Sequence, residues 1–307
     1  MGTVNERQEG AAVHHTREIR VFVGASPAEV LPLQVLEHTI REHTVRTVDV
    51  AFMSDLPYPM PKDASNQPGT NFSFYRFMIP ELTGYGGKAL YLDSDMMVFR
   101  PLEELWDTAF DGAQVLTVLT PEGKPTTNHS VLLIDCGAVT WNIGEIVSGL
   151  DEHRYTYDSL MRDLCIVPRA RVQARIPYVW NSLDRYEPGK TALLHFTALH
   201  SQPWTGVRHP FAALWVQALF RALDAGTVTR ELVRTEIEKG NVRPSLLSQV
   251  DSRTADPRDL SDHERRLDGA FTPPYRNLPK NRLGQRIQRR IRRVVGQVWP
   301  RPASDRA

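Results

Sequence analysis

Lys88-Ala-Leu-Tyr-Leu-Asp93-Ser-Asp95-Met-Met-Val-Phe99 sets an apolar run against two carboxylates one residue apart, and apolar residues resume directly after them. Ala89 to Leu92 are too few for a helix and read as a strand buried on both faces. Asp93 and Asp95 form an i, i+2 pair, so an extended backbone sends both side chains to one side. Two acids at the end of a buried strand repel each other unless something cationic lies between them. A hard divalent cation, magnesium or manganese, with a phosphate among its remaining ligands suits such oxygens.

Upstream, Ile19 to Val23 reads as a first strand stopped by Gly24. Ser26-Pro-Ala-Glu29 has the form of a capping box, with Pro27 at the first helical position. Leu33, Leu36 and Ile40 supply an apolar stripe, and Pro32 lies deep enough to kink that helix or delay its start. A second strand follows at about Val45 to Met53. Strand, helix and strand in this order make a parallel βαβ unit with its ligand crevice at the C-terminal ends of the strands. Gly24, Ala25 and Ser26 would there approach a nucleotide with backbone groups. Residues 54–70, rich in Pro, Asp, Asn and Gly, predict a long binding loop or lid. Asn71 to Pro80 predicts a helix capped by Asn71 and ended by Pro80. Within it Arg76 lies among Phe72, Phe74, Tyr75, Phe77 and Met78, where a guanidinium needs an anion.

Downstream, Ala113 to Leu119 and Ser130 to Ile134 predict further strands, in a sheet of six or more. Thr140 to Gly149, Tyr155 to Leu164 and Pro210 to Leu223 have helical spacing, and Ala192 to Leu194 read as a strand that delivers His195. Beyond about residue 240 the composition turns to Arg, Asp, Pro and Ser, which predicts a mobile extension over 240–307. Lys280 to Arg301 holds eight Lys/Arg and no acid. With Leu283, Ile287, Ile291 and Val298 at helical spacing, it predicts a basic amphipathic helix at about 280–299 for an anionic membrane surface.

A net charge of +1, from 37 basic and 36 acidic residues, argues against nucleic acid as a partner. Cys136 and Cys165 build neither a disulfide framework nor a zinc motif, which favours a reducing cytosol. Residues 1–18 form a polar lead without a signal-peptide core, and His14 and His15 within it read as solvated. No apolar run is long enough to span a bilayer. The expected location is the cytoplasm, with peripheral contact to the inner face of the membrane.

Two metal-dependent classes fit the acidic pair poorly. A phosphatase of the haloacid dehalogenase type wants Thr or Val where Met97 stands, and a sugar nucleotidyltransferase wants more glycine than Val23-Gly-Ala-Ser-Pro27 offers. Tyr91-Leu-Asp93-Ser-Asp95 instead resembles the Tyr-Leu-Asp-x-Asp of retaining glycosyltransferase family 8, the glycogenin-like group. Tyr75-Arg76-Phe77-x-x-Pro80-Glu81-Leu82 and the segment from Pro101 to Trp106 match that family as well. Asn128-His129-Ser130-Val131 stands where the family reads Asn-Ser-Gly-Val, with His129 read as structural. Tyr157-Asp158-Ser159 occupies the place of its Asp-Gln pair, and Ile176-Pro-Tyr-Val-Trp-Asn181 resembles its Leu-Pro-x-x-x-Asn. From His195 to Pro203-Trp204 the family reads His-x-x-Gly-x-x-Lys-Pro-Trp. This chain has Ala198 for Gly, one extra residue and Gln202 for Lys, with His200 or Arg208 as replacements for the lost charge.

The resemblance spans about residues 19–225 and implies a single Rossmann-like GT-A domain over 19–239. That fold is α/β, with a mixed, mostly parallel sheet flanked by helices. It implies metal-dependent transfer of glucose or galactose from a UDP-sugar, with retention, to a glycan, lipid or small molecule. Asp93, Asp95 and His195 would be the metal ligands, and Arg76 would face the donor diphosphate. Ser94, Asn128, Ser130, Gln202 and Trp204 would line the donor, and Asp158 would be the acid near the sugar. The departures at Ser130, Ser159, Ala198 and Gln202 raise the alternative of a catalytically silent sugar-nucleotide or membrane adaptor.

Overall fold

The computed structural model describes residues 18–274 apart from Gly69 and His200, and it describes residue 71 without its side chain. The N-terminal lead and the basic segment at 280–299 lie outside the described residues.

The first half of the chain contains β1 (Ile19–Gly24), α1 (Val30–His43), β2 (Val48–Met53), α2 (Ile79–Leu82), β3 (Lys88–Asp93) and β4 (Met96–Val98). Next come α3 (Glu103–Trp106), β5 (Val115–Val118), β6 (Val131–Asp135), α4 (Ile143–Asp151) and α5 (Tyr157–Asp163). The remainder holds β7 (Val172–Ile176), β8 (Ser182–Leu183), β9 (Leu193–His195), α6 (Ala212–Asp224), α7 (Arg230–Glu238), α8 (Ser245–Ser252) and α9 (Asp262–Arg266).

Six strands form the main sheet in the order β2-β1-β3-β6-β5-β7. Pairings β2–β1, β1–β3 and β5–β7 are parallel, whereas β6 runs antiparallel to both β3 and β5. The sheet is thus mixed and helix-flanked, as the sequence implies. Alternation along β3 serves two cores, because successive side chains leave a strand on opposite faces. Leu90 and Leu92 pack with Leu33, Leu36 and Ile40 of α1, while Ala89 and Tyr91 pack with Phe74, Phe77 and Trp141.

Local chemistry explains the boundaries that shift. Ser26 and Glu29 do form the expected capping box, but over a 3-10 turn at Pro27–Glu29, so α1 begins only at Val30. Pro32 then falls in the first turn, where backbone N–H groups have no helical partner and its missing one costs nothing. Pro80 likewise sits in the first turn of α2 and starts a helix rather than ending one. The segment before it, Asn71–Phe77, is a 3-10 helix with Thr70 at the N-cap position, not a helix capped by Asn71.

A second sheet, β4-β9-β8, lies beyond the first. Its Met97 and Leu194 join Leu31 and Val35 of α1 and the apolar residues of α6, α7 and α8 in a third core. The expectation of a mobile chain from residue 240 therefore fails over its first part. Val242, Leu246 and Val250 are buried in that third core, and Leu260 and Arg243 are buried with them. These apolar residues are sparse among polar neighbours, yet each points inward. Among the described residues no helix is long and apolar enough to cross a membrane.

Candidate metal centre and active site

Asp93 closes β3, and the chain bends through Ser94 and Asp95 before β4 begins at Met96. β4 pairs antiparallel with β9 in a register that sets Met96 opposite His195, and the Phe196 N–H donates to the Asp95 carbonyl at 2.9 Å. His195 thus reaches the acids across the small sheet. A three-residue antiparallel pair makes the junction, where the sequence predicts the converging C-terminal ends of parallel strands. One ligand atom from each of Asp93, Asp95 and His195 lies within 4.8 Å of the other two.

The two carboxylates are held differently. Tyr91 donates its hydroxyl to Asp93 Oδ1 at 2.7 Å, and Arg76 Nη2 stands 3.7 Å from the same oxygen. Burial, opposed by Arg76 and reinforced by Asp93 and Asp95, pushes the Tyr91 hydroxyl well above its ordinary range, so it stays a donor. Gly24 makes room for it: a Cβ there would lie 2.6 Å from Tyr91 Oη. Asp95 Oδ2 accepts from Gln202 Nε2 at 2.9 Å, and the same amide group also donates to the Phe196 carbonyl at 2.8 Å. Asp95 Oδ1 is buried and accepts no aligned hydrogen bond.

His195 Nδ1 lies 2.9 Å from Asn181 Oδ1, an acceptor, so in the neutral ring Nδ1 carries the proton. Its Nε2 lone pair then faces Asp95 Oδ1 at 3.0 Å. Lone pair opposes lone pair there, which is stable only with a proton or a metal ion in place. Burial by itself would lower the pKa of His195, but the charge of Asp95 beside it outweighs burial and raises it. Without metal the proton fills that role. Two carboxylates, one imidazole oriented by an amide and an oxygen without a donor fit a divalent cation.

A cavity of about 250 Å³ opens onto Asp93, Asp95 and His195 and is also lined by Glu29, Thr70, Phe72, Asn128, Thr197 and Leu199. Asn128 therefore reaches the site, with its Oδ1 accepting from the Ser130 N–H at 3.0 Å and from the Ser130 hydroxyl. Ser130 acts through that turn. Arg76 does not line the cavity. It spends its donors on the carbonyls of Ser73 and His129 and on the Tyr91 hydroxyl, and its guanidinium lies over the Tyr91 ring at 4.6 Å. Its guanidinium stands beside Asp93, 3.7 Å from that carboxylate, outside the lining of the cavity.

Several of the other expected residues make contacts within the fold. Ala25 donates its N–H to the Met53 carbonyl at 3.1 Å, and the Ser26 N–H donates to Glu29 Oε2 at 2.7 Å. Ser94 is buried in the bend. Trp204 is a core residue, packed on Phe196 and Trp215 with ring centroids 6.0 and 5.2 Å away. Asp158 is exposed in the first turn of α5 and does not line the cavity. Arg208 is exposed, and His200 lies outside the described residues. Sequence reasoning passed over Tyr91 and gave Asn181 no role. The parallel register that sets Gly24 beside Asp93 is the signal that points to Tyr91, since a glycine at a strand end leaves space for a neighbour.

Residues 25–166 match the family model described as glycosyl transferase family 8. The chain is 27% identical over 238 residues to Protein CDI of Arabidopsis thaliana, a match covering 66% of this chain and 86% of that relative. Among solved structures it is similar to the glycosyltransferase GlyE of Streptococcus pneumoniae TIGR4, at 15% identity and a TM-score of 0.50. That match covers 73% of this chain and only 64% of GlyE, and it speaks for the fold. It is also similar to the galactosyltransferase LgtC, solved with donor and acceptor sugar analogs, at 14% identity and a TM-score of 0.47 over 69% of this chain and 96% of that one.

Proposed function

We propose that this chain, a glycosyltransferase by its family 8 segment, transfers a hexose, glucose or galactose, from a UDP-sugar to an acceptor hydroxyl. Asp93, Asp95 and His195 would hold a manganese or magnesium ion. When bound, the ion supplies Lewis-acid stabilisation of the departing diphosphate, where most negative charge develops. The observation that carries this reading is the convergence of one ligand atom each from Asp93, Asp95 and His195 within 4.8 Å, with His195 Nε2 3.0 Å from Asp95 Oδ1.

The chain's own residues do the rest. Tyr91 and Arg76 hold Asp93 in place, while Gln202 and Asn181 hold Asp95 and His195. Asn128, on the cavity wall, would meet the donor sugar. In the transfer, the bond between the anomeric carbon and the diphosphate oxygen breaks and its electron pair stays on the diphosphate. The acceptor oxygen bonds to that carbon, and its hydroxyl proton leaves with the nucleoside diphosphate. Retention of configuration is inferred from the family resemblance.

One departure favours a second reading, a silent sugar-nucleotide-binding adaptor. Gln202, in the place of a lysine, turns its donors to Asp95 and the Phe196 carbonyl and offers no cation to the phosphates. The test is release of UDP from UDP-glucose and UDP-galactose by chelator-treated protein, before and after adding manganese. Release that depends on manganese is expected. UDP binding without any release would support the adaptor, and full release in excess chelator would overturn the metal assignment.

A further inference from the structure

One turn of the chain, residues 126–130, stands between α5 and the Asp93 end of β3 and carries Asn128 on the wall of the cavity. We infer that His129 and Ser130 are positioning residues for the donor sugar: they lock the Asn128 amide so that its N–H groups are left for the ligand, an inference that rests on the sugar-transfer reading above.

The lock begins at Ser130. Its N–H donates to Asn128 Oδ1 at 3.0 Å, and its hydroxyl donates to the same oxygen at 2.5 Å. A backbone N–H can only donate, so the oxygen end of the amide is fixed and Nδ2 is the end that remains. Asn128 Nδ2 makes no hydrogen bond among the described residues. The Asn128 backbone is held as well, its N–H donating to Thr126 Oγ1 at 3.0 Å. A side chain fixed in this way before a ligand arrives has little rotamer freedom left to lose on binding. Its N–H donors then ask for acceptor oxygens, which a sugar supplies. Both residues depart from the Ser-Gly that follows this Asn in the family motif, so the lock is this chain's own.

His129 anchors the turn on its far side. The residue is buried, and its Nε2 lies 3.0 Å from the carbonyl of Arg162 in the last turn of α5. Carbonyls at a helix end have no partner within the helix and can only accept, so Nε2 carries the ring proton and donates. Burial keeps the ring neutral at pH 7. Arg162 returns a second tie, from Nη2 to Thr127 Oγ1 at 3.4 Å. On the opposite side the Asp93 N–H donates to the Ser130 carbonyl at 3.2 Å, and Arg76 donates to the His129 carbonyl. Asn128 is thus set between the acids and α5 by bonds to its neighbours on either side, and the imidazole is the anchor on the α5 side. An apolar side chain at 129 would leave the Arg162 carbonyl without that donor and let the turn shift away from α5.

Titration of the full chain with UDP, UDP-glucose and UDP-galactose in the presence of manganese tests this. The wild type is expected to bind UDP and at least one of the two UDP-sugars. Asn128→Ala should weaken that UDP-sugar about tenfold, the scale of one pre-ordered hydrogen-bonding side chain, and leave UDP within about twofold. His129→Leu should do the same, and should add little when combined with Asn128→Ala, because the two act through one contact. His129→Gln, whose amide also donates, should keep the wild-type affinity for the UDP-sugar. Ser130→Ala removes only the hydroxyl and should cost about threefold, which reads the lock even where His129→Leu does not fold. Unchanged UDP-sugar affinity in His129→Leu and Ser130→Ala would overturn the lock and leave the donor reading standing. So would equal losses for UDP and the UDP-sugar, or a His129→Leu loss that adds in full to that of Asn128→Ala, and His129 would then be structural. If the wild type binds UDP but neither UDP-sugar, the donor reading falls. The side-chain amide resonances of Asn128, in protein with isotope-labelled asparagine, then decide the lock by themselves: a shift or broadening in His129→Leu upholds it, and identical resonances overturn it.

Discussion

Two buried ionic centres in this protein keep opposite accounts of their hydrogen bonds. At Arg243, fully buried under the small sheet, every nitrogen of the guanidinium finds an acceptor: the Pro203 carbonyl for Nε, Ser245 Oγ for Nη1 and Gln249 Oε1 for Nη2. Burial pulls its pKa down to about 10, opposed by the charge of Asp268, and it still carries its charge at neutral pH. At Asp95 and His195 two groups that are acceptors in their ordinary states lie 3.0 Å apart, so a proton or a cation must stand between them. The first centre is complete by itself and ties the chain after residue 240 to the Pro203–Trp204 segment. The second needs an added proton or a cation to be complete. A buried charge whose partners are all present marks structure, and one with an unmet partner marks a ligand.

The largest effect that separates the two belongs to Asp95. Asp95→Asn keeps the shape and removes the charge, so donor turnover with manganese should fall about a thousandfold, several kcal/mol of lost stabilisation of the transition state. The melting temperature without metal should hold steady or rise, since a like charge beside Asp93 has gone. A steep loss of stability instead would make this centre structural.

Arg243 should behave in the reverse way. Arg243→Met strands three acceptors in the interior and should cost about 3 kcal/mol, a fall of roughly 10 °C in melting temperature for a domain of this size. The manganese requirement should persist in whatever remains folded. Thermal unfolding and the metal titration together read both halves of that expectation.

A third buried group tests the rule through pH. Burial, opposed by the hydrogen bond to the Arg162 carbonyl, lowers the pKa of His129 from 6.5 to about 4. Between those values the unfolded chain binds a proton that the folded chain refuses, so stability falls as pH falls through this window. The loss should reach ~3 kcal/mol at its lower end. His129→Gln should flatten that slope in denaturant unfolding measured from pH 7 to pH 4, and an unchanged slope would remove His129 from the account.

The smallest effect is at Gln202. Gln202→Leu takes away the donor that fixes Asp95 Oδ2, and manganese affinity should weaken about tenfold, as for other groups that orient metal ligands. Equal affinity would mean that the backbone bend alone places Asp95.

Much of this was legible from residues 88–99, because a buried strand that ends in two acids has few other uses. The cavity wall at Asn128 and the placing of His195 beside the two acids were legible through a run of spaced motifs. Periodicity could not show β4 and β9, which have three residues each. They declare themselves only by pairing with each other, and so the true junction of Asp95 with His195 was hidden. Trp204 read as a binding residue because its motif is shared with the family, yet its ring is needed where α6 and the small sheet meet. Val242, Leu246 and Val250 looked too few to order a segment, and their weight appears once Leu194, Phe196 and Trp215 are seen facing them. Tyr91 looked like one more apolar strand residue. Its hydroxyl matters because Gly24 in the neighbouring strand leaves it room.

The central claim is that His195 completes a divalent cation site with Asp93 and Asp95. Manganese titration of the full chain, followed by electron paramagnetic resonance and compared with His195→Ala, tests it most directly. The expected result is a single site of manganese binding that weakens at least about tenfold in the variant. A variant that binds manganese as well as the wild type but melts well below it would contradict the claim, and would make His195 a structural histidine.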